Sequence, residues 1–421
     1  MGKKLLMGIM AALFSVSFAL PASAQVTLDD VLKRVEALER ENSMLKDQVM
    51  ALKNAPAPVA SYAAAPAGNF LETKFKTKMY GYIKADAVFN DSALTTTGGT
   101  LSMYPTSETT TKHNDNFAMA ANETRLGFDI EAPAMDDGGV VSGKIEGDFW
   151  SSTNTGSVFR LRQAYAKLAY SSWDVLAGQT WDFFSPLGPS TLDFGYGWNA
   201  GNIGDRHPQV ILSNKIADDF LGGKLSTKVG VVDPNLSTQS TSGFPVSGAL
   251  AQYDGKVLSV PTTVYVAGIY GRLESQTGTK YRDALYAGTS GMTIKLTDWL
   301  SLKGEGYIGS GLSTFRSAGF STTAIDNGNQ GIDSRGGFAE LTLKPIKKLE
   351  SNTGLGVDVV TSPLTSAATT WKRNNMYYTN LKYSISKDLL VGIEYQRFKA
   401  NFADNTKGSD NRVQTSVIYK F

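Results

Sequence analysis

Arg125, Lys144, Arg160 and Arg162 fall on three successive stretches of alternating polar and apolar residues, on the polar side of each. A row of fixed cations can handle anions. Guanidinium groups replace a carboxylate's lost hydration with paired hydrogen bonds, and weak contacts at several sites pass a solute along rather than trap it. Lys228, Arg272, Lys295, Lys303, Lys382 and Arg412 take similar positions on later stretches. Asp86, Asp129, Glu131, Glu146, Asp148, Glu305, Asp358 and Glu394 supply acids of the same kind. The plainer reading is that these charges pair across strands, as in any water-filled interior. Beyond Arg162 the parity of its stretch is ambiguous.

The connection from Trp181 to Arg206 is the second candidate. It carries Phe183, Phe184, Phe194, Tyr196 and Trp198 among glycines, with Asp182, Asp193 and Asp205. It is long for an exposed tip, and its aromatics favour burial. Inside a barrel it could only fold into the lumen, where its acids would face the basic row and narrow the passage. An Ω-loop on the outer surface is the alternative. Catalysis lacks its groups: the chain has two histidines, His113 and His207, both read as loop residues, and no cysteine. Gly304-Glu305-Gly306-Tyr307-Ile308-Gly309 matches a dinucleotide-binding pattern only in letters, since it lies within an alternating strand with no helix after it. No metal-ligand or cofactor constellation stands out, so the chain does not read as an enzyme.

The positioning elements are strands. In the last ten residues Val413, Thr415, Val417, Tyr419 and Phe421 share one face, and Arg412, Gln414, Ser416 and Lys420 the other. Such alternation suits a strand between lipid and water, although an edge strand of a soluble sheet also shows it. The pattern recurs from Lys78 to the end, giving about 16 strands, an even number as barrels of bacterial outer membranes require. Every second connection is a short turn, such as Asp136-Asp137-Gly138 or Ser386-Lys387-Asp388, and most of the others are long and polar. With lipid outside, charged residues must face the lumen, because a Lys or Arg on the lipid face at mid-bilayer costs roughly 2–4 kcal/mol. The fold class expected is an all-β transmembrane barrel over 78–421, preceded by an α-helical coiled coil.

Residues 1–24 read as an export signal: Lys3 and Lys4, an apolar run, then Ala22-Ser23-Ala24 for cleavage. A single-pass anchor is the alternative, but the run is short and Pro21 interrupts it. Removing Lys3 and Lys4 reduces the 41 basic residues to 39, matching the 39 acidic ones. That neutrality argues against nucleic acid as a partner. Over 25–53, Leu28, Val31, Val35, Leu38, Asn42, Leu45, Val49 and Leu52 form an a/d seam at spacings of three and four, with Asn42 at an a position. A lone helix of this length, on the order of 40 Å, needs partners. Arg34 and Glu39 favour a trimer, whereas an a-position Asn is better known from dimers. Residues 54–77 are a Pro/Ala-rich linker and lead-in.

Met79-Tyr80-Gly81-Tyr82-Ile83-Lys84-Ala85-Asp86 resembles the DcaP-like outer-membrane porins. So do Leu176-Ala177-Gly178-Gln179-Thr180-Trp181 and Asn202-Ile203-Gly204-Asp205-Arg206-His207-Pro208-Gln209, together with the order of signal, coiled coil, linker and barrel. The resemblance runs over most of the mature chain. It implies a homotrimeric, 16-stranded channel in outer-membrane lipid, its coiled coil in the periplasm, favouring small anions such as dicarboxylates. A general, weakly selective porin, a barrel enzyme at the outer leaflet, and a peptidoglycan tether anchored by its barrel are the rival readings.

Overall fold

The computed structural model describes Arg40 and residues 75–94, 105–108, 115–150, 158–234, 244–274, 282–317, 331–364 and 370–421. The signal, the coiled-coil seam, the linker and His113 lie outside the described residues. Among the described residues no helix is long and apolar enough to cross a membrane; strands are a separate matter.

One antiparallel sheet accounts for almost all the rest. Its first half comprises β1 (Lys76–Asn90), β2 (Asn116–Ala120), β3 (Arg125–Glu131), β4 (Val140–Asp148), β5 (Arg160–Ala169), β6 (Trp173–Trp181), β7 (Arg206–Phe220) and β8 (Gly223–Val232). The second half comprises β9 (Val246–Val257), β10 (Val260–Glu274), β11 (Arg282–Lys295), β12 (Leu300–Ser310), β13 (Asp333–Ile346), β14 (Leu349–Val360), β15 (Trp371–Ser384), β16 (Leu389–Phe402) and β17 (Lys407–Lys420). β2 and β3 both pair with β1, one along each half of its length, so they are a single interrupted stave and the barrel has 16 staves. Pairing of β1 with β17, from Tyr82↔Lys420 to Asn90↔Arg412, closes the ring and removes the sheet edges.

Alternation sets the two faces. On β17, Arg412, Gln414 and Ser416 are buried inside while Val413, Val417 and Tyr419 are exposed outside. Met119, Phe117, Ile308 and Val266 join that exposed apolar band. A sheet that shows apolar side chains outward and polar ones inward is inverted relative to a soluble protein, and lipid is the solvent that suits it. Between β12 and β13 a single 3-10 turn, Ser313–Phe315, brings Phe315 into the interior.

Candidate functional site

The end of the β6–β7 hairpin leaves the wall. β5 pairs with β6 only up to Ala164↔Gln179, and β7 meets β8 only from Gln209 onward. Thr180 and Trp181 therefore pair with His207 and Arg206 alone. Gly178 permits the departure. Its φ is +133°, and a Cβ there would sit 2.2 Å from the Ala164 carbonyl oxygen.

The loop that follows crosses the lumen to the opposite staves. Phe183 and Phe184 bury themselves among Tyr265, Ile269, Leu285 and Phe315; full burial of each is worth roughly 1.5–3 kcal/mol. Ser185 Oγ donates to Glu305 at 2.6 Å, and Ser190 N donates to Glu340 at 2.5 Å. The Ser190 carbonyl accepts from Lys382 Nζ at 2.7 Å. Leu192 N donates to Glu394 at 2.8 Å, and its carbonyl accepts from Lys84 Nζ at 2.7 Å. Lys84 also pairs with Asp86 at 3.3 Å and with Glu123, which sits in the gap between β2 and β3. Glu123 is almost fully buried there, with Lys84 as its counter-charge. On the way back, Asn199 N donates to the Arg316 carbonyl at 2.9 Å. Gly201, at φ +108°, has the Gly337 carbonyl oxygen 2.1 Å from where a Cβ would be. The loop neck is tied by His207 Nδ1, 2.8 Å from Asp182, and by Arg316 Nε, which donates to Asp205 at 2.7 Å. Burial raises the Asp182 carboxyl, with His207 opposing. Asp205 is also buried, yet Arg316 and Arg206 hold it below the ordinary carboxylate range.

Facing this loop is a wall of cations. Arg162 donates from Nε to Glu146 at 2.9 Å and from NH1 to Asp148 at 2.7 Å; Arg160 donates to both oxygens of Asp148, at 3.0 and 2.7 Å. Arg125 lies 3.6 Å from Glu146 and over the Tyr82 ring, and Lys144 pairs with Asp129 at 2.7 Å and covers Tyr80. Aromatic faces separate the guanidiniums. Arg160 sits over Trp150 and Phe194, Arg206 over Trp181, and Arg316 over Trp198. Tyr196 touches Trp181 and Trp198 edge-on. Two acids of this wall are behind the cations: Asp148 is 0% and Glu146 5% exposed, against 23% for Arg160 and 16% for Arg125, whereas Asp129 beside Lys144 is exposed.

The sequence-predicted residues divide as follows. Arg125, Lys144, Arg160 and Arg162 come together on one wall. Arg160 and Arg162 are followed by inward Gln163 because the register skips Arg162 between Glu146↔Gln163 and Gly147↔Leu161, a bulge that resets parity. Lys228, Lys303, Lys382 and Arg412 point inward. Lys303 and Lys382 hold the loop, and Arg412, next to Gln414, is fully buried. Asp86, Glu305 and Glu394 are inward too, but they hold the loop or its partners rather than an open passage. Asp358 is inward and buried.

Five residues need correction. Arg272 has the parity of exposed Val266 and Tyr270, so it points outward, where it covers Phe244. Lys295 and Glu131 are at the short-turn rim, exposed and paired with Asp298 and Lys76. His207 is a buried strand residue rather than a loop one. Asp193 does not face the basic wall; it accepts from Gln396 beside Glu394. Lys84, Glu123, Arg316 and Glu340 are further site residues: Lys84 and Glu340 lie on alternating strands whose polar side is legible, whereas Glu123 and Arg316 are in connections, where no alternation signals a face. The Gly304–Gly309 run is part of β12. Among the described residues no group of three or more His, Asp or Glu is placed to hold a metal.

No known protein family profile and no curated protein matches the chain. Solved structures do. The outer-membrane channel DcaP of Acinetobacter baumannii superposes with a TM-score of 0.68 at 22% identity, covering 84% of this chain and all of that one. An anion-selective porin from Comamonas acidovorans gives 0.56 at 12% identity, over 82% of this chain and all of that one. OmpT of Vibrio cholerae, in a trimer form, gives 0.53 at 12% identity, over 82% and 99%. The fold is thus that of outer-membrane channels, in line with the resemblance read from the sequence.

Proposed function

We propose that the chain is a trimeric outer-membrane porin for passive diffusion of small hydrophilic solutes, with a preference for anions such as dicarboxylates. The observation that carries the preference is the unequal placement of charge around the loop. Carboxylates are spent inward: Glu340 and Glu394 hold loop amides, Glu305 holds Ser185, and Asp148 and Glu146 are buried under arginines. Arg125, Arg160 and Arg316 keep part of their surface accessible, whereas Lys144 is matched by the more exposed Asp129. A solute entering beside the loop meets cations first, and a narrow, partly desolvated passage strengthens that field.

Arg160 and Arg125 are the residues to change, as Gln. Charge reversal of Arg162 would set a third carboxylate against Glu146 and Asp148 and test folding instead. Reversal potentials across a planar bilayer should show chloride favoured over potassium in the wild type and a shift toward cations in Arg125→Gln/Arg160→Gln, with weaker current block by succinate. Cation preference in the wild type, or no block at all, would leave a general porin. The tether reading keeps a separate footing in the 25–53 seam and the linker after it.

A further inference from the structure

Beneath the loop lies a cavity of about 680 Å³, roofed by Ser185–Pro189 and Gly204 and walled by β5 to β8 near their short turns. Three lysines and two aspartates line it. Lys215 is at the rim, where its ammonium donates to the Ser171 carbonyl at 2.8 Å. Lys167 pairs with Asp174 at 3.3 Å. Asp182, in the roof, is already engaged with His207. Lys228 is different. It is half-buried, set opposite Ser213 and Leu250, and makes no hydrogen bond or ion pair with any described residue. Asp174 attracts it and Lys167 repels it only through space, and a half-buried ammonium without a hydrogen-bond partner is costly unless water or an anion supplies one. Ser213 and Ser226 line the same space and offer hydroxyl donors, while the Thr180 hydroxyl beside them donates to Gln163 at 2.9 Å. The cavity is large enough to seat a small oxyanion with water around it.

We infer that this cavity is a second anion station, on the far side of the loop from the outer mouth, in which Lys228 is the primary cation and Lys167 the second. Its ligand class is a small carboxylate or phosphate-type oxyanion. This rests on the channel reading above. It adds a place for an anion to wait after the arginine wall, as multi-site conduction requires. Asp174 neutralises one of the two lysines, so the station is weak, which suits passage over retention.

The test uses the intact protein in planar bilayers, with succinate and, separately, inorganic phosphate added to the short-turn side. Lys228→Met should raise the half-blocking concentration from that side about fivefold, the loss of one contact in a wet site. Lys228→Arg should keep the block, and Lys215→Met should leave it unchanged. Block by succinate but not phosphate would assign the station to carboxylates, and the reverse to phosphates. As a measurement independent of conduction, crystals soaked in bromide should show an anomalous peak beside the Lys228 ammonium that Lys228→Met removes. Anion-selective wild type whose block and bromide peak both survive Lys228→Met overturns the station alone. Wild type without anion selectivity overturns the anion preference first, and the station with it.

Discussion

Arg162 and Asp205 show two different uses of a buried charge. Arg162 is fully buried, and Glu146 and Asp148 both depend on it. Removing one member of such a group leaves uncompensated charge in a poor solvent, at about 3–5 kcal/mol. Arg162→Met should therefore lower unfolding stability in detergent by roughly that amount. Arg160→Met, at a partly exposed position, should cost distinctly less. Equal losses would mean that burial does not separate the two. Asp205 ties the loop neck to Arg316 and Arg206, which depress its carboxyl. A depressed carboxyl contributes stability above its unfolded value, and the contribution is lost only as pH falls through the folded one. Mild acidification should leave the clamp in place, whereas Asp205→Asn should weaken it at every pH. Thermal unfolding of both proteins from neutral pH down to strongly acid pH should show two curves converging only at the acid end. Curves that already meet at mildly acid pH would contradict the depressed carboxyl.

At the level of elements, the loop and the strands it touches explain each other. Deleting 185–200 removes the contacts to β12, β13, β15 and β16 and should raise single-channel conductance severalfold while weakening ion selectivity. Phe184→Ala should destabilise by about 3–5 kcal/mol through the space it leaves among Tyr265, Leu285 and Phe315. Unchanged conductance in the deletion would show that the constriction is elsewhere. The same contacts explain where sequence reading failed. On β10, Tyr265, Ile269 and Leu273 are apolar on the inside because Phe183, Phe184 and Phe315 cover that wall, while Val266 and Tyr270 are apolar on the outside. With both faces apolar, parity is illegible, and Arg272 was placed on the wrong side. On β17 the inner face is polar from Arg412 to Ser416, only Ile418 breaks the row, and both faces were legible from residue types alone. Barrel, turn rhythm and the long connection from Trp181 to Arg206 followed from period-two pattern and connection length. The bulge at Arg162 and the gap that presents Glu123 did not, since one inserted residue leaves no compositional trace.

At the scale of the whole molecule, the outward face and the N-terminal seam bear on assembly in different ways. A closed barrel has no free sheet edge, so its self-association must use side chains on the outer wall. The a/d pattern read from Leu28 to Leu52 would, as a helix, offer a second, separate means, because a helix with one apolar stripe and no partner is marginal in water. If barrel walls make the trimer and the coiled coil reinforces it, deleting 26–53 should lower the temperature at which trimers dissociate in detergent and still leave trimers at room temperature. Asn42→Leu should act in the opposite direction, since a polar residue at an a position sets register at a cost in stability. The measurement is the mass of the protein–detergent particle by light scattering, followed as temperature rises. Deletion protein that is monomeric from the start would make the helix the main assembly element and leave the barrel wall facing lipid all round. Trimers that dissociate at the wild-type temperature would remove any assembly role from the seam, and the cell-wall tether would then be the reading of that segment to pursue.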